Sequence, residues 1–77
     1  MDIKITIGQR IRALRETKNM AQKDLAYAAD LDRTYIASVE CGKRNISIVN
    51  IEKIANALKV SLKEFFEDDC FREIKVD

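Results

Sequence analysis

Arg33, Thr34, Ala37, Ser38 and Cys41 share one face of any helix that turns Ile36 and Val39 inward, with Tyr35 at the border. A polar face of this kind does its chemistry through hydrogen bonds. Arg33 presents a planar fork of donors that matches the two acceptors on a guanine edge, worth about 1–3 kcal/mol of discrimination. Thr34 offers a hydroxyl, and a methyl suited to thymine. Just downstream, Lys43, Arg44, Asn45 and Ser47 supply charge and donors of the sort that follow a phosphate backbone.

Bond-making chemistry has little to work with. The chain holds no histidine, no plausible nucleophile–base pair and no phosphate-binding loop, which sets an enzyme aside. No catalytic residue, cofactor or small-molecule ligand is expected. Cys41 and Cys70 are the only cysteines, and without histidine they cannot make a zinc site. Two readings remain for them, a single disulfide or two inert thiols, and the absence of a signal peptide favours thiols in a cytoplasmic protein. The same absence makes the glycosylation pattern Asn45-Ile46-Ser47 a chance match. No apolar run approaches the ~20 residues of a membrane span, so no membrane partner is expected. The net charge is +1, with nine Lys or Arg against six Asp or Glu in residues 1–44 and five against seven in 45–77. The basic half carries the polar helix face, a modest pointer to nucleic acid.

The elements that position these side chains are short helices. There is no proline, and Gly8 and Gly42 fall near expected element ends. Thr6 with Gln9 reads as a capping box for a first helix over roughly 7–18, with Ile7, Ile11 and Leu14 as its stripe. Asn19 ends it, since asparagine tolerates a left-handed backbone. A second helix runs from Gln22 to Ala29 with Leu25, Ala26 and Ala29 inward. Asp32 caps a third through about Cys41, and Gly42 stops it. Ser47 caps a fourth that buries Ile51, Ile54, Ala55 and Leu58. Ser61 with Glu64 opens a fifth containing Phe65 and Phe66. The expected fold is all-α, a compact bundle of five short helices in one domain spanning residues 1–77. Two arrangements stay open for residues 67–77, a continued helix or an extended tail packed back.

The stretch from Gln22 to Cys41, QKDLAYAADLDRTYIASVEC, resembles the helix-turn-helix of the lambda-repressor-like, Cro-type family. Small Ala26 lets the two helices cross closely, and Leu25, Leu31, Ile36 and Val39 form the seam between them. Asp30 stands where that family usually has glycine, in the turn; Asp adopts the left-handed form at some cost. Ala21 stands where a capping Ser, Thr or Asn is common, a loss of about 1 kcal/mol. The likeness extends to Gly8-Gln9-Arg10-Ile11-Arg12, to Glu40-Cys41-Gly42-Lys43-Arg44 and to Ile51–Leu58, about residues 6–66 in all. Asp32-Arg33-Thr34-Tyr35-Ile36 and Arg44-Asn45 are most similar to the controller proteins of restriction–modification systems.

The resemblance implies Arg33, Thr34 and Ser38 as base readers, with Tyr35 either reading or packing. It implies phosphate contacts from Lys43, Arg44, Asn45 and Ser47, and from Gln22 unless that residue merely caps its helix. It implies a structural ion pair between Arg15 and Glu40. Its controller version acts on a double-stranded operator, activating its own and the endonuclease gene at low occupancy and repressing at high occupancy. Asp24, Asp30 and Asp32 lie near the edge where related regulators touch RNA polymerase. One recognition helix spans only ~4–5 base pairs, so a symmetric homodimer on two half-sites is expected. Residues 61–77, with apolar Leu62, Phe65, Phe66, Cys70 and Ile74, are the expected pairing surface, joined by part of helix four. An antitoxin, a phage-type repressor or a helical adaptor that no longer binds DNA are the alternatives.

Overall fold

Four of the five helices start where a short polar side chain satisfies one of their first free N–H groups. The computed structural model describes residues 1–72. Helices α1 (Ile3–Thr17), α2 (Gln22–Ala29), α3 (Arg33–Glu40), α4 (Ile48–Ala57) and α5 (Leu62–Phe66) follow in order, then a 3-10 turn at Asp69–Phe71. There is no strand among the described residues. Asp32 accepts from the Thr34 N–H at 2.7 Å, Ser47 from Asn50 at 3.1 Å and Ser61 from Glu64 at 3.0 Å. All three are the caps the sequence offers.

Two starts differ from the sequence reading. α1 begins one turn before Thr6, because Asp2 caps it by accepting from the Lys4 N–H at 3.0 Å. Thr6 then sits inside the helix and its hydroxyl donates back to the Asp2 carbonyl at 3.1 Å. At α2, Ala21 offers no side-chain cap, but Asp24 reaches back to accept the Ala21 N–H at 2.9 Å. Half of a capping box therefore survives without a polar cap residue.

Helices α1 to α4 end alike. A residue in the left-handed region closes each one: Asn19 (φ 56°), Asp30 (φ 56°), Gly42 (φ 74°) and Lys59 (φ 59°). The following N–H then bonds five residues back, Met20 to Arg15, Leu31 to Ala26, Lys43 to Ser38 and Val60 to Ala55, at 2.9–3.2 Å. This satisfies carbonyls that the helix leaves without partners. Met20, Leu31 and Val60 are carried onto the core by the turn. Asn19, Asp30 and Gly42 were legible as such stops; Lys59 was not.

The core is the set of inward stripes. Ile7, Ile11, Leu25, Ala26, Ala29, Ile36, Val39, Ile51, Ile54, Ala55, Leu58 and Phe65 are buried, and Leu14 and Leu31 pack against them. α3 packs on both α1 and α2, α2 also on α4, and α5 on α4. Gly8 is not at an element end but inside α1. A Cβ there would meet the carbonyl oxygen of Val39 at 2.3 Å and that of Glu40 at 2.8 Å. Only a hydrogen fits, so the first helix rides directly on the C-terminal backbone of the third.

Over residues 67–72 the chain neither continues the helix nor runs extended, and 73–77 lie outside the described residues. α5 stops at Phe66, and after Glu67 the chain makes the 3-10 turn, capped by Asp68 accepting from the Cys70 N–H at 3.0 Å. Phe71 returns to pack on Phe66 and Phe65, with ring centroids 5.2 and 6.4 Å apart. Ile74 lies outside the described residues. Arg10 of α1 holds this end of the chain. Its Nε donates to the Phe65 carbonyl at 2.7 Å and its Nη2 to that of Glu64 at 2.8 Å, while Nη1 pairs with Asp68 at 3.3 Å. An arginine from a distant helix thus does the capping that the end of α5 lacks.

Candidate nucleic-acid interface

α3 is fixed at its C-terminal end and open along one side. Glu40, with its side chain 3% exposed, accepts from Arg15 Nε at 2.7 Å and Nη2 at 3.0 Å, and from Gln22 Nε2 at 3.2 Å. Arg15 Nη1 also donates to the Met20 carbonyl at 2.7 Å. The hydrogen bond to Glu40 raises the Arg15 pKa further, so the guanidinium stays charged throughout the accessible range. One carboxylate thereby gathers donors from α1 and α2 and sets where α3 lies. The ion pair implied by the resemblance is present; the third donor, Gln22, is an addition to it.

With that end held, Arg33 and Thr34 stand exposed at the start of α3, and Ala37 and Ser38 are half-buried one turn on. Cys41 is exposed just past the helix end. Ile36 and Val39 are 0% and 1% exposed on the opposite side. The face drawn from periodicity is the face that is open. Tyr35 is half-buried at its border. Its ring lies under the Arg44 guanidinium, 5.1 Å from the centroid, and its hydroxyl accepts from Asn50 Nδ2 at 3.0 Å. Asn50 went unnoticed in the sequence, because its partner is fifteen residues away on another helix.

Lys43, Arg44, Asn45 and Ser47 form the exposed link from α3 to the N-terminus of α4. Ser47 uses a lone pair to cap α4, which leaves its hydrogen to donate elsewhere. Two cations and a helix N-terminus on one short stretch make a surface complementary to phosphate. Gln22 sits at the first turn of α2, half-buried, with one amide hydrogen spent on Glu40. Of the three carboxylates expected at the α2 edge, Asp24 and Asp32 are engaged as caps and Asp30 is exposed at the turn.

Both thiols are free. Burial pushes the Cys70 thiol up to about 11, helped by its hydrogen bond to Asp68, so it stays protonated and unreactive near neutral pH. Phe65 is fully buried in the core and leaves the expected pairing surface; Leu62 and Phe66 remain on it, each 37% exposed.

Two consecutive helices in this setting, the second anchored at one end and open on its polar side, define a helix-turn-helix protein. The chain belongs to that family, whose sequence profile matches residues 11–65. Within it the chain belongs with the controller proteins of restriction–modification systems. It is 48% identical over 68 residues to the control protein C.MunI from Mycoplasma sp, across 87% of this chain and 92% of that one. The crystal structure of the controller C.AhdI from Aeromonas hydrophila superimposes with a TM-score of 0.81 at 44% identity, covering 86% of this chain and all of the other. The controller C.Esp1396I, solved as a tetramer with its natural 35 base-pair operator, gives 0.80 at 42% identity over 83% and 84%.

Proposed function

We propose that this chain is a sequence-specific DNA-binding transcriptional regulator, a homodimer on a two-fold operator, controlling its own gene and that of a restriction endonuclease. The observation that carries it is the open polar face of α3, anchored through Glu40 and flanked by the basic link to α4. Arg33, Thr34, Tyr35 and Ser38 read base edges; Gln22, Lys43, Arg44, Asn45 and Ser47 hold phosphates. The solved C.Esp1396I variants include an arginine and a tyrosine two positions apart, each replaced. That is the spacing of Arg33 and Tyr35. The protein works in the cytoplasm by binding alone, with no catalytic step.

Selection from a random duplex pool tests this with wild type and Arg33→Ala in parallel. Wild type is expected to recover a two-fold symmetric site. Arg33→Ala is expected to relax one base pair in each half-site, by about 1–3 kcal/mol per contact. Failure of wild type to enrich any sequence, even at low salt, points instead to an adaptor.

The pairing surface includes the start of the 61–77 segment, in which Leu62 and Phe66 are exposed while Phe65 beneath them is not. Replacing Phe66 with aspartate is expected to give a folded monomer by light scattering, because a charge facing a second copy has no partner there. An unchanged mass would move the interface elsewhere, with the exposed Ile48 and Val49 of α4 next in line.

A further inference from the structure

We infer that Asn50, on α4, determines base preference without touching DNA, by fixing the polarity of the Tyr35 hydroxyl. The inference rests on the placement of Tyr35 among the base readers. A phenol oxygen has one hydrogen to give and lone pairs to receive. Asn50 Nδ2 donates into one lone pair at 3.0 Å. The hydroxyl hydrogen therefore points away from Asn50, and no protein acceptor among the described residues takes it.

Arg44 closes the other route of escape. Its guanidinium covers the ring face at 5.1 Å, a favourable cation–π arrangement that resists swinging of the ring. Tyr35 is clamped at its face by Arg44 and at its tip by Asn50, and it reaches the groove as a directed donor. A directed donor favours acceptors on the major-groove edge, guanine O6 and N7, adenine N7 or thymine O4, over the amino group of cytosine. A freely rotating hydroxyl would accept both.

The test is selection with four proteins beside wild type, read as the ratio of bases recovered at each position: Asn50→Ala, Asn50→Asp, Tyr35→Phe, and Asn50→Ala combined with Tyr35→Phe. Thermal unfolding confirms that each is folded. Asn50→Ala is expected to weaken the preference about fivefold at the base pair that Tyr35→Phe affects. The double variant should be no worse than Tyr35→Phe. Asn50→Asp offers only acceptor oxygens, so the hydroxyl must turn its hydrogen inward, and preference at that position should move toward cytosine. Its added charge weakens binding to all sequences alike, which the ratio removes. An effect of Asn50→Ala at a different base pair, or one that adds to Tyr35→Phe, makes Asn50 a direct contact and overturns the inference. So does a wild-type profile from both Asn50 variants while Tyr35→Phe alters it. If Tyr35→Phe changes nothing, Tyr35 is no base reader and both readings of it fall, with the Arg33 result unaffected.

Discussion

Arg15→Ala is expected to cost about 3–5 kcal/mol of folding stability, most of what a chain of this size has. The reason is the partner left behind rather than the bonds lost. The Glu40 side chain is 3% exposed, and two of its three side-chain donor contacts come from Arg15. Without them a carboxylate sits among apolar groups with only the Gln22 amide at 3.2 Å. The Met20 carbonyl also loses its donor, which loosens the turn into α2. Urea unfolding at constant slope measures the loss through the midpoint. A double change to Arg15→Met and Glu40→Met should restore much of it, since the pair's own desolvation nearly cancels its attraction. A loss under 1 kcal/mol for Arg15→Ala would mean that the pair is solvated in solution.

Phe65→Ala is expected to cost a similar amount, about 3–5 kcal/mol, from a different source. The ring is fully buried and packs edge-on against Phe66 at 4.9 Å and beside Phe71 at 6.4 Å. Removing it opens a cavity under a helix of five residues, too short to hold itself by propensity. α5 should detach, and the dimer with it. Light scattering and unfolding should therefore fall together, whereas Phe66→Asp should lose the dimer and keep the fold. A dimer of normal mass from Phe65→Ala would show that pairing does not depend on α5.

What the sequence disclosed follows the reach of each interaction. Asp32, Ser47 and Ser61 bond to N–H groups two or three residues away, so local spacing reveals them. The open face of α3 follows from Ile36 and Val39 turning inward, a matter of helical period. Thr6 misled because its spacing to Gln9 imitates a cap while Asp2, one turn earlier, takes the role. Gly8, Arg10 and Asn50 act on groups thirty-one, fifty-five and fifteen residues along the chain. Nothing within a few residues of them announces those roles. Lys59 adopts a conformation that lysine does not favour, imposed by Val60 reaching the core.

Arg10 fastens α5 chiefly by main-chain oxygens, those of Glu64 and Phe65, which every sequence possesses. The seat of that helix is therefore indifferent to what it displays outward. On the proposed pairing surface, Leu62 can change by mutation while the helix stays where it is, whereas Phe66 also packs on Phe65 and Phe71. If pairing uses this helix as proposed, two related regulators in one cell can lose the ability to pair with each other while the open face of α3 stays unchanged. Under that proposal, mixed subunits are avoided.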